Sequence, residues 1–367
     1  MKFNINRETI LPPLGQVIGA VERRHTLPIL ANVLLKSVGG ILTLTSTDLE
    51  IEMVATVESV SPPDDFQTTL PARKLFDICK ALSESSDIEF DIEENKVILK
   101  SGRSRFTLAS LPASDFPGLD EIDAQQSFTI PQSKFKALLE KTSFAMAQQD
   151  VRYYLNGILM EISRGSIKLV ATDGHRLALS EYQEDVTLTE EIQVIVPRKG
   201  VMELSRLLDS SDAPAKVIFS QNHIRIEANN IVFTSKLIDG KFPDYNRVIP
   251  VDGNKILSVN REVLKKAMNR IAILSNEKYR GIRLALTKGN LSIQANNPDQ
   301  EEAEEELAVD YDEAEIEIGF NVTYLIDVLN VLQCEKVHIK LKDANSSCII
   351  SDSEDLSSLY VVMPMRL

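Results

Sequence analysis

The sequence predicts an α+β protein built from three similar domains, and three recurrences predict it. A strand running into a polar turn appears at Ile41–Leu49 with Thr47-Asp48, at Val170–Leu177 with Thr172-Asp173-Gly174, and at Leu291–Asn297 with Asn296-Asn297. Asp48 and Asp173 are 125 residues apart, and Asp173 and Asn297 are 124 apart. A helix start recurs at Leu70–Leu82, Val196–Leu208 and Phe320–Leu332, with Pro71, Pro197 and Asn321 separated by 126 and 124 residues. An aromatic strand followed by a proline recurs as Phe106 with Pro117, Phe233 with Pro243, and Tyr360 with Pro364; the aromatics are 127 residues apart each time. A period this long exceeds any solenoid unit, so it describes repeated globular domains.

Each domain is expected to hold two helices and antiparallel strands. The first helix of each falls at roughly Arg7–Val21, Gln132–Met146 and Arg261–Leu274. In the last of these, Leu264, Ala267, Met268, Ile271 and Leu274 form one apolar stripe. The second helix opens after Pro71 or Pro197, where a proline loses no needed hydrogen bond, and apolar residues then recur at helical spacing. Asp173-Gly174 is a hairpin signal, because glycine accepts a positive φ; alone it would describe a plain surface turn. Proline, glycine, aspartate and asparagine collect near Pro117–Gln126 and Asp244–Lys255, which sets the domains at 1–125, 126–253 and 254–367.

Composition is that of a soluble globular protein: 43% hydrophobic and 26% charged over 367 residues, enough for two or three cores. No apolar run approaches the roughly 18 residues a membrane helix needs, and Met-Lys-Phe-Asn-Ile-Asn has no signal-peptide core. Cys79, Cys334 and Cys348 read as reduced core thiols of a cytosolic protein. A net charge of −14 argues, taken whole, against nonspecific nucleic-acid binding.

Signals for catalysis are poor. His25, His175, His223 and His338 have no second histidine or cysteine at ligand spacing, which disfavours zinc. There is no phosphate-binding loop, dinucleotide fingerprint or nucleophile elbow. Asp173 and His175 lie on one face of an extended segment without a nucleophile, so a hydrolase is the weak rival reading.

Charge is distributed unevenly. The predicted helices carry more basic than acidic residues, while the whole chain has 40 basic against 54 acidic; the sixth helix has no basic residue. Lysine on a solvated face explains this as well as a pooled surface facing a polyanion would. In the second case phosphate contacts bind without reading sequence and weaken with salt. Two features lean toward it: Arg23-Arg24-His25 after the first helix, and Gln148–Tyr154, where Arg152, Tyr153 and Tyr154 could stack on bases. Tyr154 equally suits the start of a strand. An acidic protein-binding scaffold without DNA contact is the remaining alternative.

Ala171-Thr-Asp-Gly-His-Arg-Leu177, Ile273-Leu-Ser-Asn-Glu-Lys278, Phe242-Pro-Asp-Tyr245 and the tail Tyr360-Val-Val-Met-Pro-Met-Arg-Leu367 closely resemble the beta sliding clamp family of bacterial DNA polymerase III. The resemblance covers the whole chain and is greatest to the proteobacterial form. It implies a head-to-tail homodimer whose six domains close a ring around duplex DNA, helices lining the hole and strands outside. It implies a cytoplasmic, noncatalytic processivity factor with no cofactor, metal or membrane contact. The DNA would be double-stranded and bound without sequence preference; the partners would be the polymerase III catalytic subunit, the clamp loader complex, and other polymerases and repair factors.

By the same resemblance, Arg24, Gln149, Tyr153 and Tyr154 match DNA-contacting positions, with Arg73, Arg152 and Lys199 as weaker candidates. A peptide-binding pocket of the second and third domains would use Leu155, Thr172, Gly174, His175, Arg176, Leu177, Pro243, Arg247, Val248, Asn321, Tyr324, Ser347, Val361, Met363, Pro364, Met365 and Arg366. Adaptable methionines in the tail would suit several ligands. Asn345 departs from the family's usual aliphatic residue at one pocket wall. At the dimer seam Phe106, Leu108, Ile273 and Leu274 would pack, with Lys74, Lys96, Arg103 and Arg105 facing Glu301, Glu302, Glu304 and Glu305. The apolar centre should dominate there, since rim ion pairs contribute about 0–1 kcal/mol each.

Overall fold

Among the described residues each repeat contributes two α-helices. They are α1 (Arg7–Val17), α2 (Ala72–Ala81), α3 (Gln132–Thr142), α4 (Arg198–Leu207), α5 (Arg261–Ile271) and α6 (Val322–Val331). The computed structural model describes residues 1–22, 26–57, 64–119, 123–184 and 190–366. The helix starts follow local chemistry. Asn6, Asn260 and Asn321 each accept a first-turn N–H on the side chain, while α2, α3 and α4 follow Pro71, Pro131 and Pro197. The first helix of each repeat stops short of the predicted span and tightens into a 3-10 turn, at Ile18–Ala20, Ser143–Ala145 and Ala272–Leu274. In α3 the buried Thr142 hydroxyl donates back to the Leu138 carbonyl at 2.8 Å, turning a polar group inward at the point of tightening.

The strands form antiparallel sheets in two compact units, one of residues 1–136 with 199–237 and one of 137–198 with 238–367. In the first unit an eight-stranded sheet runs Phe66–Pro71, Asn32–Val38, Ile41–Thr47, Ile51–Val57, Ile231–Lys236, His223–Ala228, Pro214–Phe219, Gln126–Pro131. A four-stranded sheet of Lys2–Asn6, Asp87–Ile92, Lys96–Ser101 and Ser104–Ala109 completes it. The second unit repeats the plan. Its eight strands run Ile192–Pro197, Gly157–Ser163, Gly165–Thr172, Arg176–Glu184, Ser358–Val362, Cys348–Asp352, Lys336–Leu341, Lys255–Asn260. Its four run Glu302–Ala308, Asn290–Asn296, Gly281–Thr287, Ile316–Asn321.

The units are not the repeats. Each long sheet joins two repeats at its centre, where Phe233 lies opposite Met53 and Tyr360 opposite Ala178. Both aromatics are buried, whereas Phe106, their counterpart in the first repeat, stands on the edge strand Ser104–Ala109 and is only half-buried.

Part of the helix charge is structural. Arg7 Nε donates to the Cys79 carbonyl at 2.9 Å, Lys136 Nζ to the Leu208 carbonyl at 3.1 Å, and Arg261 Nη1 to the Leu329 carbonyl at 3.0 Å. In each repeat a cation on the first helix thus satisfies carbonyls at the end of the second, where those oxygens lack intrahelical donors. Cys79 and Cys348 are buried, and burial pushes both thiols up to about 12.

Candidate functional site

The turn between the strands Gly165–Thr172 and Arg176–Glu184 is tied by its own side chains. Thr172 Oγ1 accepts the Gly174 N–H at 3.1 Å and donates to the Arg176 carbonyl at 2.6 Å. Asp173 Oδ1 accepts the N–H groups of His175 and Arg176 at 2.9 and 3.0 Å, and Oδ2 accepts Arg176 Nε at 3.1 Å. Gly174 has φ 88°, and a Cβ there would meet the Arg152 guanidinium at 3.0 Å. The Asp173 carboxylate is therefore committed to the turn and to Arg176. The His175 ring instead faces the Tyr324 ring, with centroids 6.3 Å apart. The acid-base pair of the hydrolase reading is not assembled.

Arg176 anchors this corner. Its guanidinium carbon lies 5.2 Å from the Phe144 ring and 4.6 Å from the Tyr324 ring. It also donates to the Phe144 carbonyl at 2.8 Å and pairs with Asp327 of α6 at 2.5 Å. Two carboxylates and two ring faces offset the cost of a nearly enclosed charge.

Beside it opens a cleft of about 210 Å³. Leu155, Leu177 and Val361 form a buried floor, continuous with Leu159, Val170, Ile195 and Phe242. Thr172, Pro243, Val248 and Met363 form the walls. Beneath, the Tyr245 hydroxyl donates to Glu161 at 2.5 Å; burial and that carboxylate push the phenol above its usual value, so it stays a donor at neutral pH. The tail is pinned twice, Met363 N–H to the His175 carbonyl and Met365 N–H to the Gly319 carbonyl, both at 2.9 Å. An apolar floor with a few fixed polar groups suits a small apolar side chain of a ligand.

Of the residues expected at a pocket, Leu155, Thr172, Gly174, Arg176, Leu177, Pro243, Val248, Val361 and Met363 line this cleft. His175 and Tyr324 stand next to it through Arg176. Asn321 caps α6 and donates to the Tyr279 carbonyl at 3.2 Å. Arg247 is exposed and pairs with Asp244 at 2.9 Å. Ser347, Pro364 and Met365 are half-buried and Arg366 exposed, outside the lining. Asn345 is exposed in a turn, its N–H given to Asp343, and forms no wall of the cleft. Asp244 and Tyr245 line the cleft and were missed, although they lie in the motif Phe242–Tyr245.

Arg152, one of the residues expected toward DNA, also lines the cleft, pairs with Asp150 at 2.8 Å and reaches the Asp173 carbonyl at 3.4 Å. That pairing, with the Arg152 N–H, holds the Asp150 carboxyl down to about 2. Arg24 lies outside the described residues. Arg73 is exposed on α2, Gln149 is exposed with φ 55°, and Tyr153 is exposed and edge-on to the half-buried Tyr154. Lys199 is not a free cation: it pairs with Asp48, and with Glu22 at 3.7 Å.

At the expected seam Ile273 is 75% exposed while Leu108 is buried. Lys74, Arg103 and Arg105 are exposed, and Lys96 pairs with Glu93 at 3.1 Å. The opposing acids already have local partners: Glu305 accepts Arg270 Nε at 3.0 Å, Glu304 accepts Gln294 at 2.7 Å, and Glu301 accepts Asn297 at 2.5 Å. Glu302 is exposed. Among the described residues no group of acids, histidines and cysteines is arranged to hold a metal.

Fold and cleft together define a repeat-built α+β scaffold with an apolar-floored cleft. The chain belongs to the DNA polymerase III beta subunit family, the bacterial sliding clamps. The family's N-terminal, central and C-terminal domains match residues 1–120, 129–244 and 246–366. The beta sliding clamps of Pseudomonas putida KT2440 and Escherichia coli K12 are each 53% identical over 367 residues, covering all of both chains. A crystal structure of the DNA polymerase III subunit beta from Pseudomonas aeruginosa matches with TM-score 0.96 and 53% identity over all of both chains. So does a sliding clamp of that species bound to griselimycin, with the same score and identity.

Proposed function

We propose that two copies of this chain close head to tail into a ring around duplex DNA and hold replication proteins on it through the cleft. Family membership supports the clamp reading. The single observation that carries the closure is the pair of edge strands left at Ser104–Ala109 and Glu302–Ala308. Their counterparts in the other repeats are the strands that join each long sheet at its centre. Met53 and Ala178 stand opposite Ser46 and Ala171, each just before the polar turn; Ala303 stands opposite Ala295 in the same place. Phe106 of one copy would then face Ala303 of the next, as Phe233 faces Met53 and Tyr360 faces Ala178. The same register sets Arg105 opposite Glu304, an opposite-charge pair, and Thr107 opposite Glu302. A twofold arrangement uses both edges and leaves no open end, which avoids filaments.

In this reading the three repeats, 1–125, 126–253 and 254–367, are the domains, and their exposed helix cations, Arg73 and Lys134 among them, face the phosphates. The contacts are weak and blind to sequence, so the ring slides. Polymerase III catalytic subunit, clamp loader and repair factors insert apolar side chains at Leu155, Leu177 and Val361. The protein performs no chemistry and works in the cytoplasm. Paired cysteines at Thr107→Cys and Glu302→Cys test the closure. Oxidation should yield a covalent dimer, whereas Thr107→Cys with Glu306→Cys should not. Monomers alone from the first pair would refute the register.

A further inference from the structure

We propose that Asp327 is a positioning residue for the cleft, fixing through Arg176 the wall that a ligand meets beyond its apolar anchor. This rests on the peptide-binding reading of the cleft. Arg176 is 11% exposed and Asp327 30%, so the pair is largely withdrawn from water and its geometry matters. The guanidinium is held on every side: Asp173 at Nε, Asp327 at Nη1, the Phe144 carbonyl at Nη2, and the Phe144 and Tyr324 rings at its faces. Tyr324 and Asp327 both belong to α6, three residues apart and so on one side of the helix. Asp327 therefore locks Arg176 against the ring carried by its own helix, and that ring in turn stacks on His175. With Asp327 neutral, Asp173 keeps Arg176 tied to the turn, but the charged tie between the turn and α6 is lost, leaving only the ring contacts of Tyr324. The His175–Tyr324 wall would loosen, while the floor of Leu155, Leu177 and Val361, which contacts none of these groups by hydrogen bond, would keep its shape.

The test compares two probes on the full chain: an acetylated pentapeptide ending in two leucines, and the acetylated dileucine alone. Wild type should bind the pentapeptide more tightly. Asp327→Asn should weaken the pentapeptide about tenfold and leave the dipeptide within twofold, and Asp327→Glu should restore most of the loss. Tyr324→Leu, which leaves the ion pair in place, should give the same selective loss. Equal weakening of both probes would mean a general structural role and overturn the inference. Unchanged binding by Asp327→Asn, or failure of glutamate to rescue, would overturn it too. Wild type binding both probes equally would remove the wall's contribution and leave the cleft reading standing. Wild type binding neither would overturn the cleft reading and this inference with it.

Discussion

The backbone N–H of Met363 donates to the carbonyl of His175 at 2.9 Å, joining the C-terminal tail to the turn that borders the cleft. Tail and turn form one rim. Removing Met363–Leu367 should therefore lower affinity for a polymerase-derived peptide at least tenfold while the dimer persists. Isothermal titration and sedimentation measure the two separately; unchanged peptide affinity would refute the placement of the site.

Ile273 is three-quarters exposed on the turn after α5, an arrangement that suits a contact made by another copy. The double substitution Ile273→Ala with Leu274→Ala should give folded monomers at low micromolar concentration. Sedimentation velocity reads the outcome, and a fully dimeric variant would put the seam elsewhere.

Glu52 is half-buried, and burial raises its carboxyl above the ordinary range despite the Leu119 N–H at 3.2 Å and the nearby Arg225. The native state thus takes up the proton at higher pH than the unfolded chain. Its contribution to stability is greatest when protonated and falls as pH rises through the raised native value. Glu52→Gln should melt at the same temperature as wild type or higher at pH 7, with the difference shrinking toward pH 4. A clear loss of stability at pH 7 would mean that the bond to Leu119 outweighs the burial.

Arg206 donates to the carbonyls of Gly15 and Gln16 at 3.1 and 2.6 Å, tying α4 to the end of α1. A Cβ on Gly19 would collide with the neighbouring Glu203 carboxylate, so the approach is close. Arg206→Ala should cost about 1–2 kcal/mol, because two carbonyls lose a charged donor at a helix end. Urea denaturation checks this.

The repeat was legible because strands, turns and helix starts are local, and each left a residue at a fixed offset. Asp173-Gly174 told its turn for the same reason: the aspartate caps the N–H groups of the next residues and the glycine takes the positive φ. The early end of the first helices was not legible, since Thr142 bonds back within an apolar stripe that reads as continuous helix. Nor was the sheet joining of repeats, which depends on Phe233 meeting Met53 some 180 residues away. The cleft floor was named residue by residue only through the family's motifs. What the sequence hid was the fate of charges. Arg152, Lys199 and Glu305 look free in a string of letters and are each paired in space, whereas Arg73 stays exposed.

The most direct test of the ring is retention on DNA after the duplex is cut. The protein would be loaded onto a nicked circular plasmid with its clamp loader and ATP, the loader confirmed on the Escherichia coli clamp, and the complex isolated. Cutting the plasmid once should release the protein while the uncut circle retains it. Equal retention on both would mean ordinary surface binding and contradict a closed ring.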